Sequence, residues 1–218
     1  MTHLNIQDFL ENTFTDKYSY VDEEKTVYNF HCVNIGKLNV VNGQIIACDP
    51  FLFNDDKPFN NLFPIGHFPI ELAIADINDD ERVGFSRIKF SDKIPVRWTI
   101  AVTLDQDASK LSDEEIFGYG VDSGTGCFMD TAGAEKYSTY LEQQEDNYNI
   151  VIDEMEATYK DTRSWLLWDR EGFNVAMYST GWGDGLYATY IGYDSENIIC
   201  RLVSDFELID WQTLKGPA

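Results

Sequence analysis

The chain has 218 residues, 44% hydrophobic and 14% aromatic, with 38 Asp and Glu against 16 Lys and Arg for a formal net charge of −22. That apolar content lies well above the level at which chains stay unfolded, and the length suits one domain, 1–218, with a sizeable core. A surface so negative repels phosphate backbones and anionic headgroups, which excludes nucleic acid and membrane surfaces and leaves a basic protein, a cationic small ligand or a divalent cation as partners.

Residues 5–16 predict a short amphipathic helix on the domain edge, with Ile6, Phe9, Leu10 and Phe14 at helical spacing beside Asp8, Glu11 and Asn12. The start MTHLNIQDFLENTF lacks the basic opening and apolar core of a signal peptide. No apolar run approaches the roughly 20 residues of a membrane span. Cys32, Cys48, Cys127 and Cys200 are widely spaced, so a cytoplasmic chain with reduced thiols is expected. With no CxxC or HxxxH spacing and only His3, His31 and His67, a zinc site has no support.

In GKLNVVNGQIIACDPF, Asn42-Gly43 between two β-branched runs predicts a hairpin of strands 37–41 and 44–48. A second hairpin follows in ELAIADINDDERVGFSRIKF, where Leu72 and Ile74 alternate with Ala73 and Ala75 and the acidic turn Asn78–Glu81 joins the strands. Its DxNxD start resembles an EF-hand loop, but Glu81 and Arg87 stand where that loop needs Gly and Glu, so a calcium loop is rejected. Next come a strand in VRWTIAVTL and a helical turn in LSDEEIF capped by Ser112. Between Ala132 and Tyr159 the Ala, Glu, Gln, Lys and Tyr content predicts one or two helices broken near Asp146-Asn147. FNVAMYST, LYATYIGY and IICRLVSDFELI, separated by GWGDG and DSEN, predict a C-terminal β-meander. The fold class expected is α+β: a single domain with an extensive antiparallel sheet, sandwich-like or strongly curved, and a helical insertion around 132–160.

Two glycine-rich stretches carry the polar chemistry. In FGYGVDSGTGCFMDT (117–131), Gly118, Gly120, Gly124 and Gly126 permit either a sharp turn or amides converging on an anion; the spacing fits no nucleotide cradle. Asp122-Ser123-Gly124-Thr125 matches the short pattern around an aspartic-protease carboxylate, with Asp130-Thr131-Ala132-Gly133 as an imperfect second copy. Cys127 reads as a small buried residue; a nucleophile needs a histidine or cation that the nearby sequence does not supply. In Gly181-Trp182-Gly183-Asp184-Gly185 the tryptophan covers a sheet end or lines a pocket with Asp184 pointing into it.

The phrases NGQIIACDPF, PIELAIA through VGFSRIKFSDKIPVRWTIA, FGYGVDSGTGCFMD, and STGWGDGLYATYIGYD with VSDF resemble a bacterial family labelled DUF4241, a domain of unknown function, over about 37–206. The resemblance implies one domain and carries no activity, substrate or catalytic residue.

Asp122, Cys127, Asp130, Trp182, Asp184, Glu71 and Asp205 are the candidate binding residues, and Asp122, Cys127 and Asp184 the candidate catalytic ones. Charges inside strands must pair, so Arg87 or Arg97 is expected to meet Glu71 or Asp205. Should the carboxylates instead converge without an arginine, their repulsion would raise a pKa or invite a divalent cation, the one cofactor considered; no metal ligands are assigned. Two functions follow as expectations. One is a binding or interaction domain, of the inhibitor or immunity type, with a cleft formed by the two glycine loops. The other is a hydrolase using clustered carboxylates at the same loops.

Overall fold

Leu72 and Ile74 pack into one apolar cluster, while Ala73 and Ala75 between them pack into another. A strand that is covered on both faces reads as a continuous apolar run, and this one lies between two layers. The computed structural model describes residues 6–53, 56–112, 115–144 and 149–211. Its elements in chain order are α1 (Ile6–Asn12), β1 (Tyr18–Val21), β2 (Val27–Val40), β3 (Ile45–Cys48), β4 (Gly66–Ile77), β5 (Asp80–Lys89) and β6 (Arg97–Ile100). They continue with β7 (Tyr119–Val121), β8 (Thr125–Asp130), α2 (Thr131–Glu142), α3 (Asn149–Glu156), β9 (Trp165–Arg170), β10 (Phe173–Ser179), β11 (Gly185–Tyr187), β12 (Thr189–Tyr193) and β13 (Ile199–Asp205).

Strands β1-β2-β4-β5-β13-β12-β6 form one antiparallel sheet in that order, curled into a half-barrel. Strands β3-β8-β10-β9 form a second, and β11-β7 a two-stranded ribbon. Leu38, Ile70, Leu72, Ile74, Ile88, Ile191 and Leu202 of the large sheet share a core with Ile45, Ala47, Phe128, Ala176 and Tyr178 of the small one. On the other face of the large sheet, Phe9, Leu10 and Phe14 pack with Phe30, Phe85, Tyr190 and Trp211. On the other face of the small sheet, Ala134, Tyr137, Val151 and Met155 from α2 and α3 cover Cys48, Cys127, Met129, Val175 and Met177. The α+β class with a curved antiparallel sheet holds, in helix–sheet–sheet–helix layers. No described helix is long and apolar enough to cross a membrane.

Three sequence expectations need correction. The Asn42-Gly43 pair does not close a hairpin, because β2 and β3 belong to different sheets. A type I′ turn needs positive φ at both central residues, and here only Gly43 has it, at 78°. The pair is a corner between sheets, where a Cβ on Gly43 would lie 2.6 Å from the Phe63 carbonyl oxygen. The paired positive φ angles occur instead at Asn78 (51°) and Asp79 (68°), the two-residue turn of the β4–β5 hairpin.

Of the C-terminal meander, β12 and β13 pair as expected, but the FNVAMYS strand is β10 and lies between β8 and β9. The GWGDG stretch leads from β10 of the small sheet into β11 of the ribbon, after which β12 joins the large sheet. Gly181, at φ +40°, sits so close to Phe206 that a Cβ would lie 2.4 Å from that residue's carbonyl oxygen. The strand in VRWTIAVTL is shorter than expected, only Arg97–Ile100. Ser112 donates to the Glu115 carboxylate through both its amide and its hydroxyl, and the rest of the expected LSDEEIF turn includes residues 113–114, which lie outside the described residues. The expected helical insertion is α2 and α3, and the break near Asp146-Asn147 lies outside the described residues.

Candidate functional site

The two glycine stretches meet as backbone. Gly185, Leu186 and Tyr187 of β11 pair with Val121, Gly120 and Tyr119 of β7, and the Thr180 amide donates to the Gly124 carbonyl at 3.0 Å. The amides of the first stretch do converge on an anion, and the anion is the protein's own. Asp49, 4% exposed, accepts from the amides of Asp122 (3.1 Å) and Ser123 (2.8 Å) and from the Ser123 hydroxyl (2.8 Å). That carboxylate comes from 73 residues upstream, so no local pattern announces it.

The side chains named from the sequence separate into different settings. Asp122 and Asp184 are solvent-exposed. Cys127 is buried, as expected, with its sulfur 3.6 Å from that of Cys48. Asp130 is buried and accepts from the amides of Ala132 (3.0 Å), Asn42 (3.1 Å) and Gly43 (3.2 Å), so it caps α2 and ties down the sheet-to-sheet corner. Trp182, 59% exposed, lies under the Arg82 guanidinium at 4.2 Å. Glu71 pairs with Arg87 at 2.6 Å, which realises one expected ion pair, while Arg97 donates to Asn197. Among the described residues, no three His, Cys, Asp or Glu side chains are grouped to hold a metal ion.

Asp205 stands apart. It ends β13 in the large sheet and is 4% exposed, and it borders a cavity of about 330 Å³ with Glu207, Asp210, Trp211, Ala188, Ile116 and Ile209. Its carboxylate accepts from the Glu207 amide at 2.9 Å and from the Trp211 indole N–H. Among the described residues, no Lys or Arg forms an ion pair with it. Burial pushes its pKa up to about 7; the two hydrogen bonds oppose this, and the charges of Glu207 and Asp210 add to it. Burial also raises Glu207, with Asp210 contributing. The Trp211 ring stacks on Phe9 of α1, with centroids 6.1 Å apart, and meets Tyr190 edge-on at 5.5 Å, so helix and sheet together fix the indole. Sequence reasoning singled out Asp205 as a candidate binding residue and a strand charge in need of a partner but missed Glu207, Asp210 and Trp211. The available signal was the recurrence of acids and an aromatic in DFELIDW.

An Asp205→Asn substitution is expected to stabilise the protein by about 2 kcal/mol at pH 8, since it removes a disfavoured buried charge at the cost of one acceptor. The sign follows from proton linkage. The folded pKa of about 7 exceeds the ordinary 3.8, so the native state holds the extra proton between those values. The contribution of this group to stability is therefore full below about pH 4 and is lost as pH rises through 7. Denaturant titrations of both proteins from pH 4 to 8 should converge at the acid end; parallel curves would sink the assignment.

A family model described as "Protein of unknown function (DUF4241)" matches residues 38–204. No curated protein and no solved structure matches the chain.

Proposed function

The chain belongs to the DUF4241 family, whose description states no activity, and on that premise we propose that it is a binding protein that seats a cationic group in the Asp205–Trp211 cavity. The observation that carries this reading is the Asp205 carboxylate, held against an aromatic wall in a cavity whose other ionisable groups, Glu207 and Asp210, are acidic. A buried carboxylate without a cationic partner is costly, and a ligand ammonium or guanidinium stacked on the indole would offset that cost. A formal net charge of −22 steers basic partners toward such a surface, so the reading takes the form of an interaction or inhibitor protein that receives a Lys or Arg side chain of a basic protein.

Binding should be coupled to deprotonation of Asp205. Isothermal titration calorimetry with butylguanidinium and butylammonium is expected to show affinity rising roughly tenfold from pH 6 to pH 8, as the carboxylate loses its proton. Asp205→Asn should abolish the binding and its pH dependence while leaving the fold intact. Binding by the Asn variant equal to that of the native protein would refute the cavity as the site.

A further inference from the structure

A different observation concerns sulfur. Cys48 of β3 and Cys127 of β8 are directly opposed in the antiparallel register, both are fully buried, and their sulfurs lie 3.6 Å apart. Opposed residues on antiparallel strands have Cα atoms about 4.5–5.5 Å apart, inside the range that a disulfide spans. Bond formation needs the sulfurs to approach by only about 1.5 Å, a movement within reach of side-chain rotation. The remaining cysteines have no such geometry. Cys32 on β2 and Cys200 on β13 are separated by β4 and β5, roughly 14 Å across the sheet.

We propose that Cys48 and Cys127 form a dithiol–disulfide couple, closed by a two-electron thiol oxidant of the diazene class. The two thiols lose two protons and two electrons as the S–S bond forms, and the N=N bond of the diazene takes up both pairs to become a hydrazine. Burial raises the Cys48 thiol well above its ordinary range and shields it, so reaction passes through a local opening. The topology supplies one, because β3 is an edge strand of its sheet and can detach without breaking the pairing of β8 with β10. Closure joins residues 79 positions apart. It also staples the strand that leads into Asp49 to the strand that follows the glycine turn, so the oxidised protein holds that turn more firmly than the reduced one.

The test treats the native protein with diamide, blocks residual thiols with N-ethylmaleimide, and maps peptides by mass spectrometry. The four free thiols should fall to two, with Cys48 and Cys127 in one linked peptide pair and Cys32 and Cys200 alkylated. Dithiothreitol should reverse the change, and the oxidised form should melt roughly 5 °C or more higher. The variant carrying Cys48→Ser and Cys127→Ser should show no diamide-dependent shift. Persistence of four thiols even in sub-denaturing urea, a bond joining another pair, a lower melting temperature on oxidation, or an equal shift in the double variant would each overturn the proposal.

Discussion

Asp130→Ala is expected to lower the unfolding free energy by about 4–6 kcal/mol, a large share of the stability of an ordinary domain. The carboxylate is fully buried and accepts three backbone amides from two distant parts of the chain, the first turn of α2 and the Asn42-Gly43 corner. Hydrogen bonds to a charged acceptor contribute about 1.5–3 kcal/mol each, and truncation leaves their donors without partners. The contributions are not additive, because all three share one acceptor. Asp130→Asn keeps the shape and one acceptor oxygen and should lose about half as much. Guanidinium unfolding at pH 7 checks both, and a loss under about 1 kcal/mol for the alanine variant would show that the corner does not depend on this carboxylate.

Glu11→Ala is expected to cost about 3–5 kcal/mol, the range for removing one member of a buried ionic network. Glu11 on α1 accepts from Arg201 at 2.9 and 3.1 Å and from Arg87 at 3.3 Å. Arg201 is 3% exposed and Arg87 8%, so both charges would lose an anion that solvent does not replace. Arg87 keeps Glu71, and Arg201 keeps the carbonyls of Ser91 and Cys200, so the loss falls chiefly on Arg201. A double-mutant cycle with Arg201→Met should therefore recover part of the loss, whereas strict additivity would count against the network. Loosening α1 also removes Phe9 from behind Trp211, so cation binding should weaken in the same variant even though Glu11 does not line the cavity.

Local chemistry was readable in the sequence, and chain-distant chemistry was not. The β4–β5 hairpin, the two helices after the glycine turn, the Glu71–Arg87 pair and the burial of Cys127 all follow from short-range pattern or from the rule that buried charges pair. The Asn42-Gly43 pair misled because turn residues report backbone angles and not which strands pair. The chain used the corner to change sheets, with Asp130 supplying the anchor from 88 residues away. The first half of β2 was missed although Tyr28 and Phe30 are buried between exposed Val27 and Asn29; beyond Phe30 the alternation fades, and a bulge falls between Asn34 and Gly36. The two glycine stretches meet as a ladder braced by Asp49. The cavity at Asp205 stayed hidden because its aromatic wall is fixed by Phe9, at the opposite end of the chain.

The position of β13 between β5 and β12 bears on how the protein is made. Synthesis runs from the amino end, so β1, β2, β4 and β5 can pair while the ribosome is still working, but β5 then presents a naked edge until residues 199–205 emerge. Closing that gap needs a strand from much later in the sequence, a non-local step that slows folding. The nascent chain thus passes through an interval in which an apolar strand bearing Phe85 and Ile88 is open to stray pairing, and molecular chaperones would find their substrate there.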